Sequence, residues 1–144
     1  MQNKRIAIAS DHAGFAAKEA IKRDLQQSGY LIQDFGTDSD TPVDYPDYIR
    51  PAAESVARHE NDVGIVLGGS GNGEAMVANK VKGIRCALCW NRESARLATE
   101  HNNANVISIG ARLVSQSEIL AIVHTWLEAE FQGGRHMARI RKIE

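Results

Sequence analysis

Around position 70 the sequence places a carboxylate, a hydroxyl and a carboxamide, Glu74, Ser70 and Asn72, on a loop with four glycines in six residues, Gly68, Gly69, Gly71 and Gly73. An apolar run over 63–67 leads into the loop, and a helix-compatible segment over 74–80 leaves it. Strand, glycine loop and helix, in that order, build an anion site in a parallel α/β sheet. The glycines leave backbone N–H groups uncovered, and the helix N-terminus adds partial positive charge. The spacing does not fit nucleotide chemistry. A dinucleotide fingerprint wants a third glycine where Glu74 or Met76 stands, and a P-loop counted from Gly68 and Gly73 wants lysine at Glu74 and a hydroxyl at Ala75. A carboxylate in place of a phosphate-pairing lysine disfavours a nucleoside triphosphate. It suits a small substrate from whose carbon a proton is removed. The alternative is that Glu74 only complements the dipole of the first helical turn, a common use of glutamate.

Other polar residues follow strand-like runs. Asp11 and His12 leave the first, Tyr45 lies on the loop after the second, His101 and Asn102 end the helix after the fourth, and Arg112 follows the fifth. We expect all of them at the same edge of the sheet. Each also has a plain reading: a capping turn for Asp11-His12, a polar helix end for His101-Asn102, a solvated charge for Arg112. The tail GGRHMARIRKIE sets Arg135, Arg139 and Lys142 on one helical face, as a solvated basic helix or as paired guanidiniums for a phosphate. Its Gly133-Gly134 pair could let the helix swing onto a neighbouring subunit.

The elements that must position these groups alternate regularly. Strands are expected over 5–10, 30–35, 63–67, 84–89 and 105–109, and helices over 15–27, 47–60, 74–80, 92–100 and 115–130. Phe15, Ala16, Ile21 and Leu25 would form the buried stripe of the first helix, and Pro51 would fall in the first turn of the second or mark its restart. Five alternations with mostly apolar strands describe a Rossmann-like, doubly wound parallel sheet with helices on both faces, which binds ligands beyond the carboxyl ends of its strands. The 144 residues read as one domain, 1–144, with 133–144 as the basic tail. A net charge of −1 gives no basic field for nucleic acid. No apolar run approaches a bilayer span, and MQNKRIAIASDH has no leader pattern, so a cytoplasmic protein is expected. Cys86 and Cys89 form a C-x-x-C on a strand read as buried. There, residues three apart point to opposite faces, so core packing is expected rather than a disulfide or metal.

Together the stretches ASDHAGF, DYPDY, LGGSGNGEAMVANK, GIRCAL, EHNNANVISIGAR and GGRHMARI, in order along nearly the whole chain, resemble the ribose-5-phosphate isomerase B family, which includes galactose-6-phosphate isomerase subunits. The resemblance implies an aldose–ketose isomerase, a dimer or tetramer with each site shared between two subunits, and neither metal nor cofactor. One branch uses a cysteine base where this chain has Gly68. The branch carrying SGNGE uses the glutamate, which implies Glu74 as base and His101 as the acid that opens the sugar ring. Implied substrate-binding positions are Asp11, His12, Ser70, Gly71, Asn72, Gly73, Asn102, Arg112, Arg135 and Arg139, with Tyr45 beside them. Proton transfer would run through a cis-enediolate held by the N–H groups of residues 71–74, with Ser70 assisting. The helix N-terminus should lower the pKa of Glu74, so closure around substrate would have to desolvate it. A sugar-phosphate-binding module without turnover, an isomerase of four- or six-carbon sugar phosphates and a nucleotide-binding domain are the rival readings.

Overall fold

Short apolar runs bounded by turn residues become five parallel strands, each followed by a helix. The computed structural model describes residues 4–144; residues 1–3, where the segment read as leaderless begins, lie outside the described residues. The elements are β1 (Arg5–Ser10), α1 (Phe15–Gln27), β2 (Leu31–Asp34), α2 (Pro46–Ala57), β3 (Val63–Gly68), α3 (Asn72–Asn79), β4 (Cys86–Leu88), α4 (Arg92–Glu100), β5 (Val106–Gly110), α5 (Gln116–Glu128) and α6 (Arg135–Arg141). The sheet order is β2-β1-β3-β5-β4, and every pairing is parallel.

The strands are apolar on both sides because both faces are covered. Ile6, Ile8, Ile65, Leu67, Ile107 and Ile109 pack with α1, α4 and α5. Ala7, Ala9, Val66 and Val106 pack with α2 and α3 on the other face. From β1 the chain turns one way to β2 and later the other way to β3, β5 and β4. A crevice therefore opens between the carboxyl ends of β1 and β3. Every helix after a strand runs back, so its C-terminus lies at the opposite edge.

Several expected boundaries move for local reasons. In α1 it is Ala17, Lys18, Ala20, Ile21 and Leu25 that are buried, while Ala16 is exposed. Pro46 opens α2, where a missing N–H costs nothing, and Pro51 stands one turn inside a continuous helix. The fourth strand is an edge strand of three half-buried residues rather than a buried one. Its outer face is closed by Asn79, whose Nδ2 donates to the Cys86 carbonyl (3.0 Å) and whose Oδ1 accepts the Cys86 N–H (2.8 Å). Cys86 and Cys89 are free thiols belonging to opposite faces of the sheet. Burial raises both thiols, Cys89 to about 12, so neither is a ready nucleophile.

Lys18 is the charged residue that period counting misses. Fully buried, it sets Nζ 2.7 Å from Asp34 Oδ2 and 2.8 Å from Glu19 Oε2. Asp34 also accepts the Gly36 N–H (2.8 Å), the Gly36 carbonyl accepts the Ser10 N–H, and the Thr37 N–H donates to the Ser10 carbonyl. This chain of bonds ties the 36–45 loop to the end of β1. Burial pushes the Asp34 carboxyl up, but bonds from Lys18, Gly36 and Lys22 outweigh it and hold the group below its usual range. Its contribution to stability is thus present above the usual aspartate pKa and is lost as pH falls through the depressed value. Asp34→Ala should lower unfolding free energy in urea at pH 7 by about 2–4 kcal/mol, because it leaves a buried ammonium with Glu19 as its one remaining carboxylate among the described residues.

Candidate functional site

The carboxyl ends of β1 and β3 carry one cluster. Glu74 is the third residue of α3, 4 % exposed, with its carboxylate turned inward over the end of β3. A Cβ on Gly68 would lie 2.1 Å from Oε2 and 2.3 Å from Oε1. The carboxylate therefore occupies the space that a side chain at position 68 would fill. Burial is the largest influence on its proton affinity and raises its pKa. Its own backbone N–H pulls the other way, and the nearby Asp11 carboxylate adds to the rise. The expected lowering by the helix dipole is thus corrected: desolvation already wins in the free chain.

The other members surround this carboxylate. Asp11 is buried and accepts the Gly14 N–H on Oδ1 (3.1 Å), so it caps the turn into α1 as well as facing Glu74. His12 Nδ1 accepts the Val43 N–H (3.2 Å). A backbone N–H can only donate, so the neutral ring carries its proton on Nε2 and presents a donor there. The Tyr45 ring packs on Gly73, with ring atoms 2.5–2.7 Å from where a Cβ would stand. The Arg112 side chain lies over Gly69, and the backbone N–H of Arg112 donates to the Gly69 carbonyl (3.1 Å). Gly71 precedes α3 with φ +82°, a left-handed conformation that suits glycine, and sits close against β5, where a Cβ would lie 3.0 Å from the Ile109 backbone. One loop donor expected to face an oxyanion is engaged within the loop: the Asn72 N–H bonds Ser70 Oγ (3.2 Å).

The second cluster is elsewhere, which overturns the expectation of a single edge. α4 begins beyond the end of β4 and returns, so His101 and Asn102 lie at the amino ends of the strands. Arg85, just before β4, donates from Nε to the Asn102 carbonyl (3.1 Å). The His101 ring stacks on His136, centroids 4.4 Å apart and planes 17° apart. In this chain α6 does not swing away: His136 and Ile140 are buried, and Glu144 pairs with Arg85. Arg135 and Arg139 stay exposed. Burial, then the charges of His101, Arg135 and Arg139, lower the His136 pKa. A strand of five or six residues separates the two clusters by about 17–20 Å. His136 was missed from sequence, although it sits between the two arginines singled out there. Also missed was Ser108, a buried hydroxyl on β5 that donates to the Gly71 carbonyl (2.7 Å). Its signal was a polar residue inside VISIG.

A glutamate with a raised pKa makes the fold less stable when charged. Stability should be highest below the ordinary value of 4.5, fall as pH rises toward the folded-state value, and stay low above it. Glu74→Gln should therefore raise Tm by about 3 °C or more at pH 7.5. In parallel melting curves the gain should vanish near pH 4.

Comparison with known proteins gives the family and the fold. The sequence matches the Ribose/Galactose Isomerase family over residues 6–143. It is 47% identical over 138 residues to ribose-5-phosphate isomerase B of Mycolicibacterium paratuberculosis, covering 94% of this chain and 87% of that protein. The ribose-5-phosphate isomerase B structure from Clostridium thermocellum superposes with TM-score 0.95 at 49% identity, covering 96% of this chain and 94% of that one. The Mycoplasma genitalium enzyme, solved with bound ribulose-5-phosphate, gives TM-score 0.93 at 42% identity over 96% of this chain and 93% of that one. With a match spanning nearly its whole length and the same sheet, this chain belongs to the ribose/galactose isomerase family.

Proposed function

We propose that this protein interconverts ribose 5-phosphate and ribulose 5-phosphate, with Glu74 as the base. The observation that carries the reading is the Glu74 carboxylate, buried in the space left by Gly68 and raised in proton affinity at the β1/β3 crevice. A pKa lifted toward the working pH is what a proton-shuttling carboxylate needs. Glu74 takes the proton from C2 of the open aldose, leaving a cis-enediolate, and returns it to C1, while a proton passes from O2 to O1. Ser70 assists that second transfer. Loop N–H groups and His12 Nε2–H stabilise developing oxygen charge. Asp11 raises the basicity of Glu74, and Tyr45 closes one wall.

Arg112 meets the phosphate from the same chain. His101, Asn102, Arg135 and Arg139 sit about a strand's length away and join the site from a second copy, His101 aiding ring opening and the arginines gripping the phosphate. In this reading the protein is a homodimer or larger, needs no metal or cofactor, and acts in the cytoplasm, where phosphorylated sugars are retained by their charge. The tail then serves the neighbouring subunit through its exposed arginines.

Glu74→Gln should lower kcat for ribose 5-phosphate at least ~100-fold with KM changed by less than about threefold. A fully active variant would remove Glu74 from the mechanism. Sharing of the site is tested by refolding inactive Glu74→Gln protein together with inactive Arg139→Ala protein. Random dimers should regain roughly a quarter of wild-type activity, because half are mixed and each mixed dimer has one intact site of two. No recovery, with mixed dimers present by mass spectrometry, would place each site within one chain.

A further inference from the structure

We infer that Ser108 is a positioning residue: through the peptide between Gly71 and Asn72 it sets the Ser70 hydroxyl that the reaction uses. This rests on the part assigned to Ser70 above. Ser108 lies on β5 between Ile107 and Ile109 and is fully buried. A hydroxyl in such a place is unfavourable unless it is bonded, and an apolar residue would serve packing better. Among the described residues its hydroxyl makes one bond, a short donation of 2.7 Å to the Gly71 carbonyl.

That carbonyl is held twice, since it also accepts the Ala75 N–H (3.0 Å), the first bond of α3. Both acceptor positions are therefore filled, and the peptide plane cannot rotate without losing both bonds. In a trans peptide the N–H points opposite to the carbonyl. With the Gly71 carbonyl drawn toward β5, the Asn72 N–H is turned the other way, and there Ser70 Oγ accepts it at 3.2 Å. Ser70 is exposed. Having accepted one bond, its hydroxyl keeps a proton to give and a lone pair to receive with, which is what a relay between two substrate oxygens requires. The close approach of the loop to β5 supports the same linkage: a Cβ on Gly110 would come within 2.4 Å of the Ser70 carbonyl oxygen. The loop is thus seated on β5 at Ser70 and at Gly71.

The test is a double-mutant cycle with ribose 5-phosphate, together with amide hydrogen exchange of Asn72 followed by NMR. Ser108→Ala should lower kcat about 5- to 20-fold with KM within about twofold, and should speed Asn72 exchange at least about tenfold. In a Ser70→Ala background, Ser108→Ala should change kcat by less than about twofold, because the group it positions is already gone. Ser108→Cys, which keeps the volume and a weak donor, should fall between the two and guards against a packing effect of the alanine. Equal losses from Ser108→Ala in both backgrounds would overturn the proposal and leave Ser108 a structural residue. Unchanged Asn72 exchange would overturn it without reference to any substrate. If Ser70→Ala alone is fully active, the proposal fails while the assignment of Glu74 stands.

Discussion

The site depends on exclusion of volume at one position. A carboxylate can sit at the end of β3 only because residue 68 has no side chain; a single Cβ would overlap both of its oxygens. Burial there raises the affinity of Glu74 for a proton, against the pull of the helix N-terminus. The stability lost by burying the charge and the basicity gained are the same free energy seen from two sides. The neighbouring parts crowd around this arrangement: Tyr45 on Gly73, Arg112 over Gly69, and Asp11 close enough to add repulsion.

Strand direction imposes the second constraint. In an all-parallel sheet, the loops after strands share one edge and the ends of the intervening helices share the other. Glu74, Asp11, His12, Ser70 and Arg112 belong to the first set, and His101, Asn102 and the α6 arginines to the second. A single chain cannot unite them without dismantling the sheet. The basic tail, by contrast, is held to the domain by buried His136 and Ile140, so its arginines are presented outward on a fixed support.

The alternating order of strands and helices was legible because each strand is short, apolar and closed by turn residues, and the loop of Gly68 to Glu74 announced its own geometry. The placement of His101 was misread because its distance along the chain from β4 says nothing of which way the helix runs. Once the antiparallel return of α4 is considered, its position follows. Lys18 escaped because a buried charge breaks the apolar period, and its partner Asp34 is sixteen residues away. The fourth strand was read as buried because IRCALCW, residues 84–90, is mostly apolar; being at an edge is a property of sheet order, which no local pattern encodes. Ser108 escaped for a related reason: its role lies in a bond to a residue thirty-seven positions earlier.

The carboxamide of Asn79 closes both main-chain groups of Cys86 on the outermost strand. Unsatisfied edge groups are templates on which another chain can add a strand. With this pair occupied by a side chain of the same molecule, Cys86 offers an incoming strand neither a donor nor an acceptor. An added strand would leave its own groups opposite Cys86 unbonded, which weakens lateral pairing along a strand only three residues long.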